Sequence, residues 1–281
     1  MKKNARKTGL KVAAFLFTLG IASCGVKTGN EQNEAAGENS VENCVSDTLV
    51  TKVFEVNNIH PYGGDDEFLA VYEVGVKASI EVPSFDENPV LAQAVMEWIM
   101  EKTGSRYEGE LQDVDAMLKQ LQQDQEKEES TEFSICKIYE TPKLVTFLYN
   151  GYTTNVGAAH GLPFTEGATF RKSDGKIFGS NMLSHQSNDA IQPLLKKGLK
   201  DCFEVASDQE LEDCLMLDNG ASVNYLPMPE NDPWVDDEGL VFSYQAYEIA
   251  CYAAGMPSVT IPLKDAATLL TPTAKKLLDI Q

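Results

Sequence analysis

Residues 69–102 read LAVYEVGVKASIEVPSFDENPVLAQAVMEWIMEK. The first part alternates through β-branched positions with the two-residue period of a half-buried strand, and it stops at Pro83. The period then changes. Leu91, Val95, Trp98 and Ile99 fall on one side of a helix over 88–102, and Pro89 suits its first turn. Outward from this stretch, 49–56 is a second alternating strand, and 111–127 repeats the helical pattern in a more polar form, its charge run reading as a solvated face. Strands return at 132–139 and 144–152 around Thr141-Pro142-Lys143, and at 165–171 and 176–178 around Ser173-Asp174-Gly175, where Asp-Gly is a strong hairpin signal.

Ile191, Leu194, Leu195 and Leu199 mark a helix over 188–202, while 220–237 is rich in Pro and Asn and reads as irregular. Short strands at 239–244 and 258–261 and helical patterns at 262–270 and 273–280 complete the order. Strands and helices in this succession predict an α+β fold, a largely antiparallel sheet with helices packed on it. The expected organisation is two consecutive α/β halves, 47–155 and 156–281.

The start of the chain reads differently. Lys2, Lys3, Arg6 and Lys7 precede a short apolar run over 12–22, too short to span a bilayer comfortably, which ends in Ile21-Ala22-Ser23-Cys24. This resembles a bacterial lipobox, in which small residues admit the peptidase and the cysteine thiol accepts the lipid. The expectation is a lipoprotein signal peptide over 1–23, acylation of Cys24 as the only link to the bilayer, and a flexible acidic tether over 24–46. Gly25 and Val26 follow the cysteine, so an aspartate-based inner-membrane retention signal is absent. The expected place is the cell envelope, at the outer membrane in a two-membrane cell.

The chain carries 23 basic and 43 acidic residues; five of the basic ones and none of the acidic ones lie in 1–23, so the part from Cys24 onward has a net charge of −25. Such a surface repels nucleic acid and anionic head groups, favours basic partners, and keeps an exported protein soluble. Besides Cys24 there are Cys44, Cys136, Cys202, Cys214 and Cys251. Cys202 and Cys214 bracket a short segment and are the expected disulfide by loop closure, though spacing leaves other pairings open. No C-x-x-C occurs, and no structural zinc is expected.

Catalytic patterns do not fit. Ser173-Asp174-Gly175-Lys176 matches S-x-x-K and Lys102-Thr103-Gly104 matches K-T-G, but the first lies in a turn and the order is reversed relative to penicillin-recognising enzymes. The histidines His60, His160 and His185 are scattered, and the acidic clusters 65–67 and 236–238 lack the spaced ligands of a calcium loop. No cofactor or metal is expected.

Three further stretches belong together. Gly157-Ala158-Ala159-His160-Gly161 follows a strand, Asp174-Gly175-Lys176 forms the next turn, and 239–255 reads GLVFSYQAYEIACYAAG before Ile261-Pro262. In order and spacing these resemble the extracytoplasmic domain shared by RsiV-type anti-sigma factors and PdaC-type peptidoglycan deacetylases, over roughly 49–270. That family shows G-G-A-H-G and Y-E-I-A-P-Y-A-x-G; here Ala158 replaces a glycine and Cys251 replaces the proline, which makes Cys251 available to a disulfide the family does not generally need.

The resemblance implies a non-catalytic module that binds a basic protein such as a lysozyme, or accompanies enzymes acting on wall glycan. His160, Tyr244, Tyr247, Glu248 and Tyr252 are the candidate binding residues. Each also has a plain structural reading: His160 bonding its own turn, the tyrosines as half-buried packing, and Glu248 accepting from backbone donors. The competing expectation is a glycan hydrolase or deacetylase-associated enzyme using His160 and nearby acids, which would place His160 beside buried carboxylates in a cleft. The binding reading expects an exposed aromatic or acidic face with His160 buried and satisfied.

Overall fold

The long strand and the helix that follows it occur as the alternation requires. In the computed structural model, which describes residues 49–55, 58–62, 70–124, 129–185, 187–217 and 222–280, the strand is Ala70–Pro83 and the helix Pro89–Thr103. The Asn88 side chain accepts from the Leu91 N–H at 3.1 Å, Pro89 occupies the first turn, and Gly104 closes the helix in the left-handed region at φ 64°. Leu91, Val95, Trp98 and Ile99 are all buried. The leader, Cys24, the tether, Cys44 and the 65–67 cluster lie outside the described residues.

In chain order the strands are β1 (Leu49–Glu55), β2 (Asn58–Tyr62), β3 (Ala70–Pro83), β4 (Glu129–Glu140), β5 (Leu144–Asn155), β6 (Leu162–Arg171), β7 (Trp234–Val235), β8 (Leu240–Ser243) and β9 (Ser258–Ile261). The helices are α1 (Pro89–Thr103), α2 (Val114–Asp124), α3 (Ser187–Phe203), α4 (Asp208–Cys214), α5 (Leu263–Ala266) and α6 (Pro272–Leu277). The large sheet runs β1-β3-β4-β5-β6, with β2 also on β3; the small antiparallel sheet runs β7-β8-β9. The α+β class is as expected. Among the described residues all strand pairings are antiparallel except β3–β4, which is parallel, because α1 and α2 form the crossover between these two strands.

β2, α4 and β7 are elements the hydropathy pattern does not show. The helical pattern over 262–270 yields only the one-turn α5, and 176–178 forms a single bridge, Phe170 to Ile177, rather than a strand.

Two cores result. One face of the large sheet carries Val76, Ala78, Ile80, Phe133, Ile135, Val145, Phe147, Ala168 and Phe170 against α1 and α2. A second core gathers α3, β8, β9 and the C-terminal helices around Ile191, Leu195, Leu199, Phe242 and Val259. The register shift between Lys137 and Tyr139 sets Tyr139 opposite Thr146, and Tyr139 packs against the second core.

The two cores meet through a closed ring of hydrogen bonds. The Thr146 hydroxyl has one proton and gives it to the Val235 carbonyl at 2.7 Å, so at 2.9 Å it must accept from the Thr169 hydroxyl. The Thr169 oxygen in turn accepts from the Val235 N–H at 2.9 Å. Beside this ring the Trp234 rings lie where a side chain on Gly167 would stand, a Cβ there meeting them at 2.3 Å.

The outer edge of β6 is blocked along most of its length, with the Trp234 ring against Gly167. Pro163 has no N–H to offer. The Gln245 side-chain amide mimics a strand, accepting from Thr165 N–H at 3.2 Å and donating to Thr165 C=O at 2.6 Å. Thr169 C=O accepts from Phe178, and Arg171 N–H donates to Lys176. The edge is therefore unavailable to another strand, and Gln245 ties the start of the tyrosine-rich segment to the sheet.

Candidate functional site

The segment after β8 turns back on itself under several independent restraints. Tyr244 is fully buried, and its hydroxyl donates to Pro227 C=O at 2.8 Å. Burial, with Glu248 nearby, pushes the Tyr244 phenol well above its ordinary range. Gln245 C=O accepts from Glu248 N–H at 3.1 Å, which makes residues 245–248 a tight turn. The Glu248 carboxylate accepts from the Gln245 and Glu230 N–H groups, both at 2.6 Å. Glu248 is thus spent on backbone, as its structural reading requires, and it pins two loops together.

Tyr247 occupies the third position of that turn at φ 70°, where a type II turn favours glycine. A bulky side chain in this region costs about 1–2 kcal/mol. Tyr247 is nevertheless 48% exposed. The fold holds a large aromatic side chain in solvent on a backbone that resists it.

The other wall comes from the β5–β6 connection. Ala158 N–H donates to Asn155 C=O at 3.0 Å, and the chain re-enters the sheet at Gly161. Gly161 N–H donates to the Tyr152 hydroxyl at 2.7 Å, and a Cβ on Gly161 would stand 2.3 Å from the Tyr152 ring, so this position needs glycine for close approach. The hairpin tip thereby aims His160 at the tyrosine segment. The His160 ring stacks on Tyr252 at 4.0 Å and 27°, Tyr247 and Tyr252 lie 5.7 Å apart at 32°, and His160 and Tyr247 are 6.4 Å apart at 29°. Three rings therefore stand roughly parallel.

Both ring nitrogens of His160 are engaged. Nδ1 lies 2.9 Å from Gly161 C=O, which can only accept, so Nδ1 carries a proton; Nε2 lies 3.2 Å from the Tyr247 hydroxyl. The bond to Gly161 is the turn-holding role expected of this histidine. The expected burial does not occur: His160 is exposed, because only small residues flank it in the loop and Tyr252 covers just one face of the ring.

Tyr252 is half-buried, and its phenol is held above its ordinary range by burial, then by the hydrogen bond to Tyr152 and the closeness of the Tyr152 and Tyr247 phenols. Tyr152 is the member the motif did not reveal. The signal for it lies in register: it is a strand residue paired with Pro163, just across the hairpin from Gly161.

Of the five candidates, the structure brings His160, Tyr247 and Tyr252 together, joined by Tyr152, while Tyr244 and Glu248 support the segment from beneath. Cys202 and Cys214 are not joined to each other in this structure. Asp208, at the start of α4, sits against Lys196 and Lys200 at 3.0 and 2.6 Å, so Cys214 lies six residues farther along α4, roughly 9 Å from the end that adjoins α3. Two clefts, of about 260 Å³ beside the Lys102–Glu166 ion pair and about 620 Å³ beside His185, are lined by none of the four aromatics. His160 and Tyr247 stand exposed, with Tyr252 half-buried between them.

Residues 177–264 match the model of a family described as a protein of unknown function, DUF3298. A solved member of that family from Bacteroides fragilis is 18% identical, with 82% of this chain and 98% of that one covered at a TM-score of 0.59. A DUF3298 family protein from Pseudomonas aeruginosa is also 18% identical, with 81% and 97% covered at a TM-score of 0.55. These likenesses establish a shared fold. No curated protein compared with the chain matches it.

Proposed function

We propose that this protein is a non-catalytic binding module of the cell envelope, lipid-anchored through Cys24, whose recognition surface is the His160–Tyr252–Tyr247 stack. The observation that carries the reading is Tyr247, a solvent-exposed aromatic side chain kept at φ 70° by a turn that Gln245 and Glu248 hold from both sides. Rigid exposed tyrosines supply contact area at low entropic cost and dominate binding energies. Parallel aromatic faces on a chain of net charge −25 from Cys24 onward suit the Lys and Arg side chains of a basic partner. The resemblance to the RsiV- and PdaC-type domain makes a lysozyme-like protein the sharpest candidate, with wall glycan as the second.

The test is equilibrium binding of residues 44–281 to a basic lysozyme at two salt concentrations, with soluble wall glycan and a neutral lectin alongside. Tyr247→Ala is expected to weaken binding by roughly 30-fold or more, the loss of a hot-spot side chain. Tyr225→Ala, at a tyrosine 57% exposed but outside the stack, is expected to leave it unchanged. Equal binding by Tyr247→Ala, or binding that vanishes with modest salt, would reduce the association to charge alone. Binding of glycan and not of lysozyme would reassign the ligand.

A further inference from the structure

Immediately beneath this surface, two distant parts of the chain run side by side. Leu215 and Ala250 form an antiparallel bridge, and Met216 N–H donates to Ile249 C=O at 2.8 Å. In antiparallel register each step forward on one segment is a step back on the other, so Met216 opposes Ile249, Leu215 opposes Ala250, and Cys214 opposes Cys251. Leu215 (φ −99°, ψ 149°) and Cys251 (φ −67°, ψ 161°) are both extended, so one step outward from the bridge stand Cys214, the last residue of α4, and Cys251. Directly opposed residues in such a pair have Cα atoms roughly 4.5–5.5 Å apart. A disulfide requires about 4.4–6.8 Å.

We propose that Cys214 and Cys251 form a disulfide that staples the end of α4 to the segment carrying Tyr252. The two sulfurs are not bonded in this structure. Cys251 is exposed and Cys214 half-buried, so an oxidant reaches Cys251 first, and the exposed side chain has room to change rotamer. The oxidant is a disulfide of the class of oxidised glutathione. The Cys251 thiolate attacks one of its sulfurs and expels one reduced thiol, leaving a mixed disulfide. The Cys214 thiolate then attacks the Cys251 sulfur, forms the protein S–S bond and expels the second thiol. The protein loses two protons and two electrons, and the oxidant leaves as two thiols.

The bond closes a loop of 38 residues, counted from Cys214 to Cys251 inclusive, that contains Tyr244, Tyr247 and Glu248. It therefore restrains the whole tyrosine segment in the unfolded chain, and fixes the residue next to Tyr252 in the folded one. It holds whether or not the aromatic surface binds a ligand.

The full chain, equilibrated with oxidised and reduced glutathione, alkylated without reduction and cleaved after glutamate, tests this directly. Cleavage after glutamate is needed because no Lys or Arg lies between Lys200 and Lys264, whereas Glu204, Glu210, Glu212, Glu230, Glu238 and Glu248 separate Cys202, Cys214 and Cys251 onto different peptides. The expected product is a cross-linked pair holding Cys214 and Cys251. The oxidised protein should melt several degrees above the reduced one, and Cys251→Ser should abolish that difference. Recovery of both cysteines in alkylated form, or of Cys214 linked to Cys202 or any other cysteine, would overturn the proposal. The peptide readout uses the wild-type chain and so does not depend on the variant folding.

Discussion

Changing Thr169 to Val is a sharp probe of how the two cores are joined. The side chains have nearly the same shape, so the change removes one hydroxyl and leaves little cavity. Thr169 is fully buried, accepts from Val235 N–H at 2.9 Å and donates to Thr146 at 2.9 Å. Without it the Val235 N–H has no partner in the ring, and a buried orphan donor costs about 1–3 kcal/mol. Thr146 also loses a donor, adding roughly 1 kcal/mol. The expected loss is therefore about 2–4 kcal/mol, or roughly 5–12 °C in Tm for a unit of this size. Urea unfolding with an unchanged slope measures it. Thr146→Val removes the bond to Val235 C=O and leaves the Thr169 proton without its acceptor. Because the bond between the two hydroxyls is lost in either single variant, the double variant should cost about 0.5–3 kcal/mol less than the sum of the singles. A Thr169→Val protein within about 0.5 kcal/mol of wild type, or strictly additive variants, would refute the closed ring and the coupling drawn from it.

Tyr247→Gly should separate stability from recognition: glycine relieves the positive φ, so chemical denaturation should show stability unchanged or up to about 1 kcal/mol higher, while binding falls as for Tyr247→Ala. Gly167→Ala places a methyl 2.3 Å from the Trp234 ring and should destabilise by about 1–3 kcal/mol, read by urea unfolding together with a changed near-ultraviolet tryptophan signal. Burial alone would raise the Glu140 pKa, but the ion pairs with Lys137 and Lys172 outweigh it and hold the carboxyl below its ordinary range. A depressed folded-state pKa stabilises above the unfolded value, and the benefit is lost as pH falls through the folded one. Glu140→Gln should therefore lower Tm at neutral pH and melt like wild type at strongly acid pH; a constant gap across the range would show that the ion pairs do not titrate as inferred.

Much of this architecture is legible in one dimension. The alternation ending at Pro83 and the helical face of Leu91, Val95, Trp98 and Ile99 predict β3 and α1 within a residue or two, because periodic burial on one face is written directly into residue order. α4 was also legible in principle. Ser207 and Glu210 form a capping box, each side chain bonding the other's backbone N–H at 3.1 and 2.8 Å, and S-x-x-E marks a helix start without any reference to hydropathy. β7 was not, since two residues carry no period; Trp234 and Val235 are strand residues because they pair with Val241 and Leu240 of β8, while Thr146 and Thr169 bond the Val235 backbone. The parallel β3–β4 pair likewise depends on where two helices cross over, which no local pattern states.

The candidate site divides in the same way. The motif residues His160, Tyr247 and Tyr252 could be named from order and spacing, as could the turn-forming small residues before Gly161. Which of them face solvent could not. Tyr244 and Tyr247 stand three residues apart in one motif, yet one is fully buried and the other half exposed, because Gln245 and Glu248 turn the backbone between them. Loop length pointed to Cys202 and Cys214, whereas the pairing of Leu215 with Ala250 opposes Cys214 to Cys251 across 37 positions of sequence. Sequence determined the elements and the stock of chemical groups, because those follow from local periodicity and residue type. Tertiary structure decided exposure, partnership and register, because each depends on groups that only folding brings within bonding distance.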